Sequence, residues 1–212
     1  MNKKAYTTID GQAESLLVIH KSRFIGFAVN VATAEEANET LERIRKQYWD
    51  ATHNCYAYVI GHENPLEKAS DDGEPGGTAG VPMLEVLKKN GLTDILVVST
   101  RYFGGVKLGA GGLTRAYAAS VSETLGQANI VRWEPCEIFR QNVEYDIWAR
   151  IEPKLAAAGA MILEQAYLDT VHLKIGLLEE NKPSVIALLK EALKTDDVLE
   201  YMATDYAKVK RD

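Results

Sequence analysis

Two apolar, β-rich segments at 16–19 and 24–31 flank the polar tetrapeptide His20-Lys21-Ser22-Arg23, a pattern that predicts a hairpin or meander. Ala37, Leu41, Ile44 and Tyr48 then recur at helical spacing, and Thr33 with Glu36 forms a capping box at the start. Residues 55–60 read as the next strand, closed by Gly61, and residues 61–80 as a long polar loop. Pro82 marks the start of a helix that carries Leu84 and Leu87, with Gly91 placed for its left-handed end. The continuous apolar run 95–98 predicts a strand covered on both faces. After a glycine-rich turn, Leu113, Tyr117, Val121, Thr124 and Leu125 form another helical stripe.

Arg132-Trp133-Glu134-Pro135 reads as a boundary, giving domains over 1–134 and 135–212. Beyond it, Phe139, Gln141, Val143 and Tyr145 predict a strand, and Ile147, Ile151, Leu155 and Ala158 a helix ended by Gly159. Strands at 161–167 and 171–175 follow. A helix through Val185, Leu188, Leu189, Ala192 and Leu193 comes next, and a last strand begins at 198–201. That order is β-α-β-β-α-β, the ferredoxin-like arrangement, so the fold class is α+β throughout.

Composition adds limits. The 212 residues carry a net charge of −6. Residues 1–135 hold 14 Lys/Arg against 16 Asp/Glu, and residues 136–212 hold 10 against 14, so neither half has a bulk footprint for nucleic acid. A local basic patch is compatible with those totals. Cys55 and Cys136 are too few and too far apart for a disulfide framework or a zinc site, which points to a reducing cytosol. No apolar run approaches the ~18 residues that span a bilayer, so no membrane partner is expected.

Nine of the sixteen glycines fall in two stretches, 73–80 and 104–112, and this decides where chemistry is sought. The first stretch runs Ser70-Asp71-Asp72-Gly73-Glu74-Pro75-Gly76-Gly77-Thr78-Ala79-Gly80. Its three carboxylates could serve a hard cation or an acid–base step, or form only a solvated turn. The second runs Arg101-Tyr102-Phe103-Gly104-Gly105-Val106-Lys107-Leu108-Gly109-Ala110-Gly111-Gly112-Leu113-Thr114-Arg115, joining a strand to a helix. Free N–H groups at a helix start favour anions, glycines admit phosphate oxygens to the backbone, and Arg101, Lys107 and Arg115 add positive charge. The alternative is a tightly packed turn. The two stretches together predict one mixed-charge groove.

No other arrangement competes strongly. The second stretch is neither a Walker A loop nor a G-x-G-x-x-G fingerprint, so no cofactor is expected. His20, His53, His62 and His172 lack metal-ligand spacing, so no metal is expected. His53 suits a structural hydrogen bond, and His172 alternates with apolar neighbours and should face solvent. Tyr56 and Tyr58 share one strand face, either as core or as a base-stacking platform.

Four blocks carry a resemblance. Ser22-Arg23-Phe24-Ile25-Gly26, His53-Asn54-Cys55-Tyr56-Ala57-Tyr58, the stretch from Ser70 to Gly80, and Arg101-Tyr102-Phe103-Gly104-Gly105-Val106-Lys107-Leu108-Gly109 closely resemble the YigZ/IMPACT family over residues 1 to about 130. The remainder is similar to the ferredoxin-like C-terminal domain of bacterial members, itself like a late domain of elongation factor G. The resemblance implies an N-terminal sheet with helices on one face, shared with domain IV of elongation factor G and with GHMP kinases. It implies translation-linked binding to RNA, the ribosome or a phosphorylated ligand, and leaves a protein partner open for the C-terminal domain. The resemblance begins near the first residues, so the extra N-terminal module of eukaryotic relatives is not expected here. The competing expectation is an enzyme of small molecules or nucleotides. There Gly109-Ala110-Gly111-Gly112 resembles the GHMP-kinase phosphate loop, and Asp71, Asp72 or Glu74 serves as magnesium ligand or base.

Overall fold

In the computed structural model, which describes residues 4–209, the chain divides into two units containing Tyr6–Arg132 and Trp133–Val209. The elements of the first are β1 (Tyr6–Ile9), β2 (Gln12–Ile19), β3 (Ser22–Asn30), α1 (Ala34–Gln47), β4 (His53–Ile60), β5 (Leu66–Ser70), α2 (Gly80–Lys89), β6 (Ile95–Tyr102) and α3 (Gly109–Gly126). Strands β2-β3-β6-β4-β5 form one antiparallel sheet in that order.

Side-chain alternation in β4 explains why both faces of this sheet are covered. Cys55, Ala57 and Val59 join a core with Met83 and Leu87 of α2 and Leu113, Tyr117 and Val121 of α3. Tyr56 and Tyr58 point the other way, onto Ala37, Leu41 and Ile44 of α1. The expectation of helices on one face therefore holds for α2 and α3 and needs correction for α1. The same geometry settles Tyr56 and Tyr58 as core, with no ring face left for a base.

Local chemistry sets the remaining boundaries. Thr33 Oγ1 accepts from Glu36 N at 3.2 Å, and Glu36 Oε2 accepts from Ala32 N at 2.7 Å, which closes the start of α1. The β2–β3 hairpin turns on two non-glycine residues with positive φ, His20 at 47° and Lys21 at 67°. Strand β5 lies where a loop was expected. Its 66–70 sequence has no buried face, and its identity comes from pairing with β4 at the sheet edge. Strand β6 also runs four residues past its apolar start, because Ser99, Thr100 and Arg101 are buried as polar residues with partners.

The second unit follows the β-α-β-β-α-β order with β7 (Ile130–Val143), α4 (Tyr145–Ala157), β8 (Met161–Tyr167), β9 (Val171–Leu177), α5 (Lys182–Leu193) and β10 (Glu200–Val209). Strand β7 pairs with β9, β9 with β8, and β10 with β7. Trp148, Ile151 and Leu155 of α4 and Val185 and Leu189 of α5 pack on Phe139, Val143, Leu173 and Ile175 of the sheet. The boundary tetrapeptide lies inside β7 and not in a loop. Tyr145 opens α4 instead of ending β7, and β10 begins two residues later than expected.

Candidate functional site

Register gathers the singled-out blocks at one end of the first sheet. Arg23 of β3 lies opposite Tyr102, His53 of β4 opposite Arg101, and Ser70 of β5 opposite Tyr56. The hairpin turn at His20-Lys21, both glycine-rich stretches and the starts of α2 and α3 therefore share that end.

The first glycine-rich stretch is held from within. The Asp71 carboxylate accepts from Gly77 N at 2.7 Å and from Ala79 N and Gly80 N at 2.9 Å each, taking the open N–H groups where α2 begins. Burial pulls this carboxyl upward, but those three donors outweigh it and hold it below its ordinary value. Asp72 Oδ2 accepts from Asn54 N at 2.6 Å and its Oδ1 pairs with Arg45 at 3.3 Å. The Asp72 carbonyl accepts from His53 Nδ1 at 2.8 Å, the structural role expected of His53. Gly73 turns with φ of 88° directly over that imidazole. Thr78 Oγ1 donates to the Pro75 carbonyl at 2.6 Å, and Ser70 Oγ accepts from Asp72 N at 3.3 Å. Gly80 lies against the Ser70 backbone, where a Cβ would collide. Gly76 and Gly77 face open space.

Beneath this loop lies a buried charge network. Glu74, 8% exposed, accepts on Oε1 from Arg101 Nη1 at 2.6 Å and from Tyr117 Oη at 2.7 Å. His53 Nε2 stands 3.8 Å from the other oxygen. Arg101, 5% exposed, also donates to Ser22 Oγ at 3.3 Å, and Phe24 and Phe103 lie against its guanidinium. Cys55 Sγ donates to the Asp71 carbonyl at 3.0 Å, and burial pushes this thiol up to about 12, so it stays protonated at neutral pH. Burial raises the Tyr117 hydroxyl as well, which keeps it a donor to Glu74.

The second stretch divides. Arg101 is committed to Glu74, so the expectation that it meets a ligand's phosphate is corrected: its charge is spent inside the fold. Tyr102 is half-buried, donates to Asp50 Oδ1 at 2.7 Å and carries the Arg23 guanidinium 4.6 Å from its ring centre. Gly104 packs against the Lys21 backbone and donates to Ser22 Oγ at 3.2 Å, so its missing Cβ is a packing requirement. Gly105 and Gly109 take positive φ of 81° and 70° to turn the chain into α3. Lys107 and Arg115 are exposed and make no ion pair among the described residues. With Ile19, His20, Leu108 and Gly112 they line a cleft of about 360 Å³ at the start of α3. No side chain caps that helix, no acidic residue lies in its first turn, and Gly111 meets nothing that a Cβ would touch.

The sheet end thus brings Ser70, Asp71, Asp72, Gly73, Glu74, Thr78, Arg101 and Gly104 into an internal scaffold. It leaves Lys107, Gly112 and Arg115 lining a cleft, with Gly109 and Gly111 exposed in the first turn of α3. Sequence reasoning missed Tyr117, read as one more core position of α3, although a hydroxyl among apolar stripe residues was a signal that a buried polar partner was needed. It also missed His20 as a cleft residue, which only the pairing of β2 with β3 reveals.

Residues 20–125 match the Impact N-terminal domain family, and residues 142–194 match a domain of unknown function, DUF1949. The chain is 49% identical over 167 residues to IMPACT family member YvyE of Bacillus subtilis, covering 79% of this chain and 77% of that protein. It is 37% identical over 161 residues to IMPACT family member YigZ of Escherichia coli, covering 75% and 79%. A crystal structure of a hypothetical protein superposes with a TM-score of 0.60 at 32% identity, over 95% of this chain and 98% of that one.

Proposed function

The chain belongs to the IMPACT family, and on that premise we propose that it is a translation-associated binding protein that contacts RNA through the glycine-rich start of α3. One observation carries the reading. Lys107 and Arg115 are exposed, have no carboxylate partner among the described residues, and line a cleft with Leu108 and Gly112 beside a helix start that no side chain caps. Backbone N–H groups and the helix dipole favour an anion there, and the two cations supply the charge that phosphate contact needs. The translation link itself comes from family membership.

The competing reading, a nucleotide enzyme, requires Asp71, Asp72 or Glu74 as a magnesium ligand or base. Each of these carboxylates already holds backbone donors, Arg45, or Arg101 with Tyr117. That favours binding over catalysis.

Binding to ribosomes and to RNA across a salt series tests the proposal. Lys107→Ala with Arg115→Ala is expected to weaken binding and flatten the salt slope by roughly 1.4, about 0.7 per lost phosphate contact on a single strand. An unchanged slope overturns it. A nucleotide that raises the melting temperature while RNA does not bind shifts the assignment to the enzyme.

A further inference from the structure

Trp49 is 83% exposed, far beyond the usual exposure of a tryptophan. It follows Tyr48 at the end of α1, off the stripe of Ala37, Leu41 and Ile44 that packs on the sheet. Phe103, at the end of β6, is 48% exposed. Three hydrogen bonds stitch these two segments together: Thr52 N to Arg101 O at 2.9 Å, Phe103 N to Thr52 Oγ1 at 3.1 Å, and Tyr102 Oη to Asp50 Oδ1 at 2.7 Å. The two aromatic residues therefore stand on hydrogen-bonded segments, and the Arg23 guanidinium lies over neighbouring Tyr102.

Charge at this end of the sheet is lopsided. Asp72 and Glu74 are ion-paired with Arg45 and Arg101, while Asp50 and Asp71 hold neutral donors. Lys21, Arg23, Lys107 and Arg115 have no ion-pair partner among the described residues. In a chain of net charge −6, this sheet end thus carries four unpaired cations against the two carboxylates Asp50 and Asp71, beside the exposed Trp49 and Phe103. Rings and guanidinium planes accept unstacked bases, while unpaired cations follow the backbone. A duplex gains nothing from stacking platforms, because its bases are already stacked and its recognition runs through shape and phosphates. A protein partner would call for a continuous apolar centre with a polar rim, whereas here the exposed rings share the sheet end with unpaired cations.

We infer that the ligand is single-stranded RNA, with bases stacked on Trp49 and Phe103 and the phosphates running past Arg23 and Lys21 toward Lys107 and Arg115. This rests on the RNA-binding reading above and deepens it.

The test uses the full chain, an oligouridine of about 12 nucleotides, the matching duplex and the matching single-stranded DNA. Trp49→Ala should lower affinity for the oligouridine about tenfold with an unchanged melting temperature, and Phe103→Leu, which keeps an apolar side chain beside Arg101, should lower it comparably. The tryptophan emission quenched on binding should be lost in Trp49→Ala. Duplex should bind at least about tenfold more weakly than the single strand. If both aromatic variants bind like wild type while Lys107→Ala/Arg115→Ala does not, the stacking inference falls and the phosphate reading stands. If no RNA binds at all, both fall. Equal affinity for duplex overturns the single-strand assignment, and equal affinity for DNA overturns RNA as the class. Ribosome binding that depends on Trp49, without any oligonucleotide binding, marks the surface as protein-facing and overturns it too.

Discussion

Two glycine-rich loops sit at the same end of one sheet, each leading into a helix without a side-chain cap at its N-cap position, and they have opposite fates. Where α2 begins, the Asp71 carboxylate reaches back from the loop and takes three backbone N–H groups. Where α3 begins, no side chain among the described residues plays that part, and Lys107 and Arg115 line the cleft beside it. The difference teaches that glycine clustering marks a tight or open backbone without saying which. The deciding feature is whether the protein supplies its own anion. Acidic residues in the first stretch occupy its helix start; the second stretch has no acidic residue to do the same.

The comparison breaks most severely at the buried pair. Arg101→Ala leaves Glu74 buried with Tyr117 as its remaining close donor, and unfolding in urea should show a loss of about 3–5 kcal/mol. Were Arg101 a ligand-binding residue, its removal would leave stability nearly unchanged and reduce only binding.

A smaller loss is expected at Asp71. Asp71→Asn removes the charge that three N–H groups face, and should cost about 2 kcal/mol at neutral pH. The sign with pH follows from the lowered folded-state value of this carboxyl. Its contribution is complete above the unfolded aspartate value near 3.8 and is lost as pH falls through the folded one. The gap between wild type and Asp71→Asn should therefore stay constant at and above pH ~5 and narrow in the acid limb. A gap that widens on acidification contradicts the assignment.

The cations lining the cleft should behave in the opposite way. Lys107→Ala with Arg115→Ala removes exposed, unpaired charge, so the change in unfolding free energy should stay within about 0.5 kcal/mol while RNA affinity falls. A large stability loss would mean that these side chains hold the fold, as Arg101 does.

Legibility in the sequence followed the same division. Strong periodicity disclosed α1, α3, α4 and α5, and Thr33 does cap α1, with Glu36 reaching back to Ala32 N instead of Thr33 N. Strand β5 escaped, because an exposed edge strand carries no burial pattern, and β1 escaped because four residues are too few to show a period. The face covered by α1 was also hidden: alternation in β4 says that its two faces differ without saying what lies on each. For the site, composition located both loops, since glycine and charge are local. It could not separate Arg101 from Arg115. Both are arginines beside glycines, and only the register that sets Arg101 opposite His53, within reach of Glu74, shows that one is internal.

The finest test of the comparison lies at a single methyl group. Gly111 is in the first turn of α3, its φ is not in the left-handed region, and a Cβ there would meet no atom within 4 Å. Packing therefore gives no reason for glycine, and Gly111→Ala should raise stability by about 0.5–1 kcal/mol through the lower entropy of the unfolded chain. Gly104 is the control at the same sheet end. A Cβ there runs into the Lys21 backbone, so Gly104→Ala should destabilise by about 1–3 kcal/mol. If α3 uses its bare backbone to approach phosphate, the added methyl at Gly111 should weaken RNA binding even as the melting temperature rises. A variant more stable and equally tight would show that the glycine serves neither packing nor close approach, and the contrast between the two helix starts would then rest on Lys107 and Arg115 alone.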